Sequence, residues 1–178
     1  MFGLPSRIMH WLMAVLLMMQ LLAGAGMVAT VSVWHERLIA LHKPLGICLL
    51  ALAILRLVLR RLGGAPPLPA SMPGWQRRAS TLSHYALYAL MLGMPLLGWA
   101  MQSAAAYPMP GVGAWHVPAI MPQNVALYAW LRWAHGVGGQ VFFVTVLIHI
   151  GAGLLHALVI KDGVFAAITR SGGKRPRR

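Results

Sequence analysis

The sequence predicts an all-α integral-membrane protein, a bundle of four transmembrane helices with both termini in the cytoplasm. Of its 178 residues, 59% are hydrophobic and only 10% are charged, against about 25% in a typical soluble domain. Four long segments carry few charges, and short basic clusters separate them. Because a lipid-exposed span must satisfy its own backbone hydrogen bonds, such segments indicate membrane helices packed as a bundle.

The charge distribution excludes several other classes of protein. Fifteen Lys and Arg residues stand against two acids, Glu36 and Asp162, and give a net charge of +13. The basic residues lie between apolar runs, so we expect membrane lipid, and no nucleic acid, as their partner. The single cysteine, Cys48, excludes an intramolecular disulfide and any multi-cysteine metal site.

Each predicted span rests on a long run with few charges. Trp11 to Ala29 gives nineteen residues without a charge, which is about 28 Å of helix and enough to cross a hydrocarbon core. Leu38 to Leu59 has Lys43 and Arg56 near its ends, where long basic side chains reach the headgroups. The predicted spans are residues 8–29, 38–60, 82–103 and 127–160.

The loops set the predicted orientation. Twelve of the fifteen Lys and Arg residues fall on the side of both termini, and Arg37, Lys43 and Arg132 fall on the other. The positive-inside rule therefore places the termini in the cytoplasm. Residues 104–124, which contain four prolines, predict a non-helical flap at the opposite interface. The alternative for the first span is a cleaved signal peptide, which would remove His10.

Four of the eight histidines lie at two predicted depths. His10 begins the first span on the cytoplasmic side, and His42 begins the second span on the outer side. On the last span His135 lies near the outer end, and His149 follows fourteen residues later, about 21 Å deeper on nearly the same face. His42 is thus expected to face His135, and His10 to face His149.

Two imidazoles at each level suit the axial positions of a planar macrocycle better than a zinc ion, which takes four ligands. Haem iron held by two imidazoles favours electron transfer. Small residues four positions after each histidine would leave room for a flat ring; they are Ala14, Gly46, Gly139 and Gly153. The alternative for each histidine is a buried neutral side chain bonded to a neighbouring carbonyl.

These spacings together resemble the bacterial cytochrome b561 family over nearly the whole chain. The matching positions are Ser6-Arg7 with His10-Trp11, His42 with Gly46 and Arg56, His84 eleven residues before Pro95, His135, His149, His156 and Lys161-Asp162. The resemblance implies a single di-haem domain over residues 1–178, in the bacterial inner membrane. It implies two non-covalent haem b groups whose iron is bound by His10, His42, His135 and His149.

Within that family the chain most resembles members that oxidise superoxide and reduce ubiquinone, so these two molecules are the expected partners. We expect Arg37, Lys43 and Arg132 either to attract superoxide or to be ordinary interfacial cations. Arg56, with Arg60, is expected either to neutralise haem propionates or to reach lipid headgroups.

Proton donors are the further requirement of quinone reduction. His84, His156 and Lys161, with Asp162, are therefore candidates for quinone contact or proton delivery. Their alternatives are hydrogen bonds to propionates for the histidines, lipid anchoring for Lys161, and a helix cap for Asp162.

Two other functions stay open on the sequence. One is a quinol-oxidising cytochrome or a membrane anchor subunit that passes electrons to a periplasmic partner protein. The other is a non-redox membrane protein, such as a histidine-lined transporter or a structural bundle.

Overall fold

Four long helices form most of the part of the protein that the structure describes. The structure, a computed structural model, describes residues 3–64, 69, 72–112 and 115–169. The long helices are α1 (Leu4–Ala29), α2 (Val33–Gly63), α3 (Gly74–Ala104) and α4 (Val125–Leu155). A π-helical turn (His156–Ile160) continues α4, and a short helix α5 (Ala166–Thr169) follows. Two short antiparallel strands, β1 (Gly111–Val112) and β2 (Trp115–His116), lie between α3 and α4.

The helices extend beyond the predicted spans, because the basic residues that flank each apolar run are also helical. α1 begins at Leu4, with Pro5 in its first turn, where a missing N–H costs nothing. α2 is capped by Ser32, whose hydroxyl accepts the Trp34 N–H, and α4 by Asn124, whose side chain accepts the Leu127 N–H.

Among the described residues, three helical segments are long and apolar enough to cross a membrane: α1, α2, and α4 together with its π-turn. Tyr, Trp, Ser and His residues lower the hydropathy of α3, which falls outside this group. Yet α3 packs along α4 as extensively as α1 packs along α2. The helical bundle and multiple spans are therefore supported, while the count of four and the orientation stay predictions. Following that orientation, we call the end of the bundle at Leu4 the inner end and the opposite end the outer end.

The packing divides the bundle into two helical hairpins, α1–α2 and α3–α4, with fewer contacts between them. At mid-length a buried cluster of Leu87, Phe142 and Val146 joins α3 to α4, and Leu17 and Leu21 of α1 pack against it. Phe142 lies seven residues from both His135 and His149. This apolar core therefore separates the two predicted histidine levels.

Residues 105–124, which we call the outer flap, cross the outer end without an α-helix in their described part. The Trp99 indole N–H donates to the Pro118 carbonyl at 2.8 Å, and the Ile120 N–H donates to the Ser103 hydroxyl at 3.1 Å. Both contacts attach the flap to the last turns of α3. The predicted non-helical flap is present, and the structure adds its short β-hairpin.

Candidate functional site

The outer histidine pair joins α2 to α4. The ring centroids of His42 and His135 lie 6.2 Å apart, with an interplanar angle of 79°. The Nδ1 atoms of both rings are buried and have no hydrogen-bond partner among the described residues, while the Gln20 backbone interacts with the His42 ring. The alternative of a histidine satisfied by a neighbouring carbonyl therefore receives no support at His135 and stays open at His42.

A cavity under the outer flap contains this pair. His42, His135, Gln20 and Gln102 line it, as do Lys43 on α2 and residues of the flap. The Oε1 atoms of both glutamines are buried without a hydrogen-bond partner in the described ranges. Buried polar atoms without partners are uncommon in folded proteins, so the cavity is shaped for a bound group.

Glycines on neighbouring helices make the space for the outer rings. A Cβ on Gly98 of α3 would lie 3.0 Å from His135 Cε1, and one on Gly24 of α1 would lie 3.3 Å from His42 Cε1. Gly46, predicted from the spacing on its own helix, does line the outer cavity. A Cβ on Gly139 would meet nothing within 4 Å and one on Gly153 only the Phe165 ring at 3.9 Å, so both positions leave space and their role beside a flat ring stays a prediction.

The inner histidine level contains three rings. His10 of α1 and His149 of α4 have ring centroids 6.4 Å apart at 79°. His84 of α3 lies 5.6 Å from His149 on a ring-centroid basis, and its Nδ1 bonds to the Ser80 carbonyl at 2.6 Å. The His84 ring is thereby oriented by its own helix, beside the pair rather than within it.

Arg56 of α2 provides the positive charge at this level. It lies close enough to His10, His84 and His149 to interact with them electrostatically. Its Nη1 atom is buried and has no partner in the part of the chain that the structure describes. Arg60, one turn further, lies over the Tyr88 ring at 5.7 Å and also interacts electrostatically with His84. Arg56 is therefore suited to bind an anionic group beside the inner pair.

The spacing of both pairs fits two imidazoles on one haem iron. With metal–nitrogen bonds of about 2 Å and five-membered rings of ordinary bond lengths, the two ring centroids lie about 6.3 Å apart. The observed separations are 6.2 Å and 6.4 Å. Over the described ranges no group of three or more His, Cys, Asp or Glu side chains is placed to hold a metal ion. The residues present fit haem better than zinc.

The remaining predicted residues do not form one cluster. His156 pairs with Asp162, with 2.7 Å between Nδ1 and Oδ2, whereas His84 contacts His149. Lys161 is exposed in a left-handed conformation, and its N–H donates to the His156 carbonyl. Asp162 also accepts the Val164 N–H at 3.1 Å in the turn that precedes α5, and its predicted role as a helix cap stays a prediction.

The outer cations are dispersed. Lys43 donates to the Pro108 carbonyl at 3.4 Å and faces the Tyr107 ring, so it ties α2 to the outer flap. Arg37 lies over the Trp34 ring at 4.9 Å, and Arg132 donates to the Tyr128 hydroxyl at 3.2 Å. Of the three, Lys43 alone lines the outer cavity.

Paired imidazoles at two levels of a helical membrane bundle define a candidate b-type membrane cytochrome. The family model described as Prokaryotic cytochrome b561 matches residues 1–171. The chain therefore belongs to the prokaryotic cytochrome b561 family, as the sequence predicted. This is a family of membrane electron-transfer proteins that bind haem b.

Two curated proteins of Escherichia coli strain K12 are similar to this chain. Cytochrome b561 homolog 2 is 29% identical over 172 residues, which cover 90% of this chain and 87% of that protein. Cytochrome b561 homolog 1 is 28% identical over 121 residues, which cover 68% of each. Both names agree with an electron-transfer protein and weigh against a non-redox transporter.

Proposed function

We propose that the protein is a di-haem cytochrome of the bacterial inner membrane that oxidises superoxide at the outer end and reduces ubiquinone at the inner end. The observation that carries the proposal is the presence of two imidazole pairs, at 6.2 Å and 6.4 Å, on either side of an apolar core. His42 and His135 would hold the outer haem, and His10 and His149 the inner one. When bound, haem b supplies a one-electron redox centre at each level.

The overall reaction balances without a proton at the outer end. Two superoxide anions give up one electron each and become dioxygen, while ubiquinone takes up two electrons and two protons to become ubiquinol. Lys43 supports an anionic donor, because its ammonium group lines the cavity that contains the outer pair. A positive charge there raises the local concentration of a small anion and its association rate.

The inner end supplies the groups that a quinone requires. Arg56 would bind a propionate of the inner haem, which is supported by its buried Nη1 atom, since this atom has no hydrogen-bond partner among the described residues. His84, beside His149, and His156, beside Asp162, would contact the quinone or deliver protons, and the exposed Lys161 would do so at the interface. These roles agree with the chemistry, because proton uptake is confined to the end where ubiquinone is reduced.

Stopped-flow visible spectroscopy tests this function. The oxidised, detergent-solubilised protein is mixed with enzyme-free superoxide stock, with and without ubiquinone. We expect rapid reduction of two b-type haems and reoxidation that requires the quinone. Haems that ignore superoxide but accept electrons from ubiquinol would instead indicate the quinol-oxidising alternative, and purification with a stoichiometric extrinsic subunit would support a membrane anchor.

A further inference from the structure

An imidazole–carboxylate pair closes the inner end of α4. His156 Nδ1 lies 2.7 Å from Asp162 Oδ2, and this is the only ion pair found among the described residues. Both side chains are largely shielded, with 15% and 13% of their surfaces exposed. Asp162 is one of two acidic residues in the chain, and the other, Glu36, lies in the first turn of α2 at the outer end. The single inner acid is thus engaged with a histidine.

The contact between His156 and Asp162 depends on an irregular backbone at the end of α4. In a continuous α-helix residues 156 and 162 would point to different sides, since six positions leave two side chains about 120° apart around the helix axis. Here α4 widens into a π-turn, in which the Lys161 N–H donates to the His156 carbonyl at 2.9 Å. Lys161 then adopts a left-handed conformation with φ of 55°, which reverses the chain and returns Asp162 to His156.

The contact fixes which nitrogen of His156 can exchange a proton. Asp162 Oδ2 accepts the Nδ1 proton, and its other oxygen, Oδ1, accepts the Val164 N–H at 3.1 Å. The carboxylate is therefore held from two directions and in turn holds the ring. A carboxylate on Nδ1 orients an imidazole, so Nε2 is the atom left for acid–base chemistry.

We propose that Asp162 is a positioning residue that holds His156 as the proton donor to a quinone at the inner end, an inference that rests on the proposed function. Ubiquinone takes up two electrons from the reduced protein and two protons, one on each carbonyl oxygen. His156 gives its Nε2 proton to one quinone oxygen. Its Nδ1 proton stays on the ring, hydrogen-bonded to Asp162, and Nε2 regains a proton from water. The second proton comes from solvent.

The test compares two electron acceptors on the same haem-loaded protein. Wild type and Asp162→Asn are reduced with a stoichiometric amount of dithionite and mixed with short-tailed ubiquinone, which needs protons, or with ferricyanide, which does not. We expect the substitution to slow reoxidation by ubiquinone by about 10- to 100-fold, because loss of an orienting partner costs that much at comparable sites. The ferricyanide rate should stay within about twofold of wild type, and Asp162→Glu should recover most of the ubiquinone rate.

Controls separate this inference from the proposed function. Glu36→Gln removes the other acid from the outer end, so it should leave both rates unchanged. A solvent deuterium effect on the ubiquinone rate that increases in Asp162→Asn would support the proton-donor role. An Asp162→Asn protein that reacts normally with ubiquinone, or is slowed equally with both acceptors, would overturn the inference. Wild-type protein that reacts with ferricyanide but not ubiquinone would overturn the proposed function itself.

Discussion

The outer and inner histidine levels contain similar imidazole pairs in different surroundings. At the outer level His42 and His135 share a cavity with two glutamine side chains and the Lys43 ammonium group, under a flap attached to α3. At the inner level a third imidazole, His84, and the Arg56 guanidinium lie beside the pair. The carboxylate of Asp162 lies one π-turn beyond that level.

The difference matches the two half-reactions of the proposed function. Removing an electron from superoxide releases no proton, so the outer level needs access and positive charge alone. Reducing a quinone consumes protons, and the groups proposed to exchange them lie at the inner end. The paired imidazoles are common to both levels, and under the proposed function the neighbouring residues would give each level its substrate class. Substitutions that act on one level alone test this interpretation.

Loss of a predicted ligand should have the largest effect. His135→Ala removes one imidazole of the outer pair and leaves His10 and His149 intact, so we expect haem content to fall from two per chain to one. The pyridine haemochrome assay counts the haem, and low-temperature spectra identify which level remains. His116→Ala, at an exposed position on β2, should keep both haems. Two haems in His135→Ala would contradict the outer pair.

Filling the space beside the outer ring should have the next largest effect. Gly98→Ala places a Cβ 3.0 Å from His135 Cε1, on a backbone that cannot easily retreat. Overpacking of this kind costs about 1–3 kcal/mol, so outer-haem retention should weaken by about 5- to 150-fold while inner-haem retention is unchanged. Haem transfer to apomyoglobin measures both. Gly93→Ala on the same helix faces open space and is the matched control; equal behaviour of the two variants would contradict the close packing.

Removing the inner charge should shift a potential without loss of haem. A cation stabilises the reduced form of a neighbouring haem, so Arg56→Gln should lower the inner-haem midpoint potential. We expect a shift of about 30–60 mV, since 1.4 kcal/mol corresponds to about 59 mV for one electron. Spectroelectrochemical titration resolves the two haems. Arg60→Gln removes a guanidinium that lies over Tyr88 and should shift the inner-haem potential less. A shift of the outer-haem potential in Arg56→Gln would contradict the assignment of Arg56 to the inner level.

The histidine pairs could be predicted because they follow from the helical spacing of the two histidines on α4. Fourteen residues separate His135 from His149, and alternating helix directions give each a partner at its own depth, His42 and His10. The structure brings together the same rings. Helix ends were less predictable: hydropathy marks the apolar run, but helical structure continues through the basic residues that flank it, as at the start of α3.

Contacts that cross between helices could not be read from spacing. Gly24 and Gly98 make room for histidines on other helices, so counting four positions along the same helix missed them. The return of Asp162 to His156 depends on a left-handed Lys161, a conformation that glycine usually adopts. The sequence places glycine two residues later, at Gly163, where φ is also positive. That Gly indicates a reversal but does not determine which side chains meet.

The smallest expected effect concerns the Lys43 ammonium group. Lys43→Gln removes the one outer cation that lines the outer cavity, so the rate of haem reduction by superoxide should fall about two- to threefold at low ionic strength. Because salt screens exposed charges, the difference from wild type should disappear near 1 M salt, where the Debye length is about 3 Å. Lys43→Arg keeps the charge and should keep the rate, whereas the shorter side chain of Lys43→Gln loses both the charge and the reach to the Pro108 carbonyl. A rate that falls equally in both variants and at all salt concentrations would show that Lys43 acts by holding the outer flap. That result would contradict its proposed role in attracting superoxide.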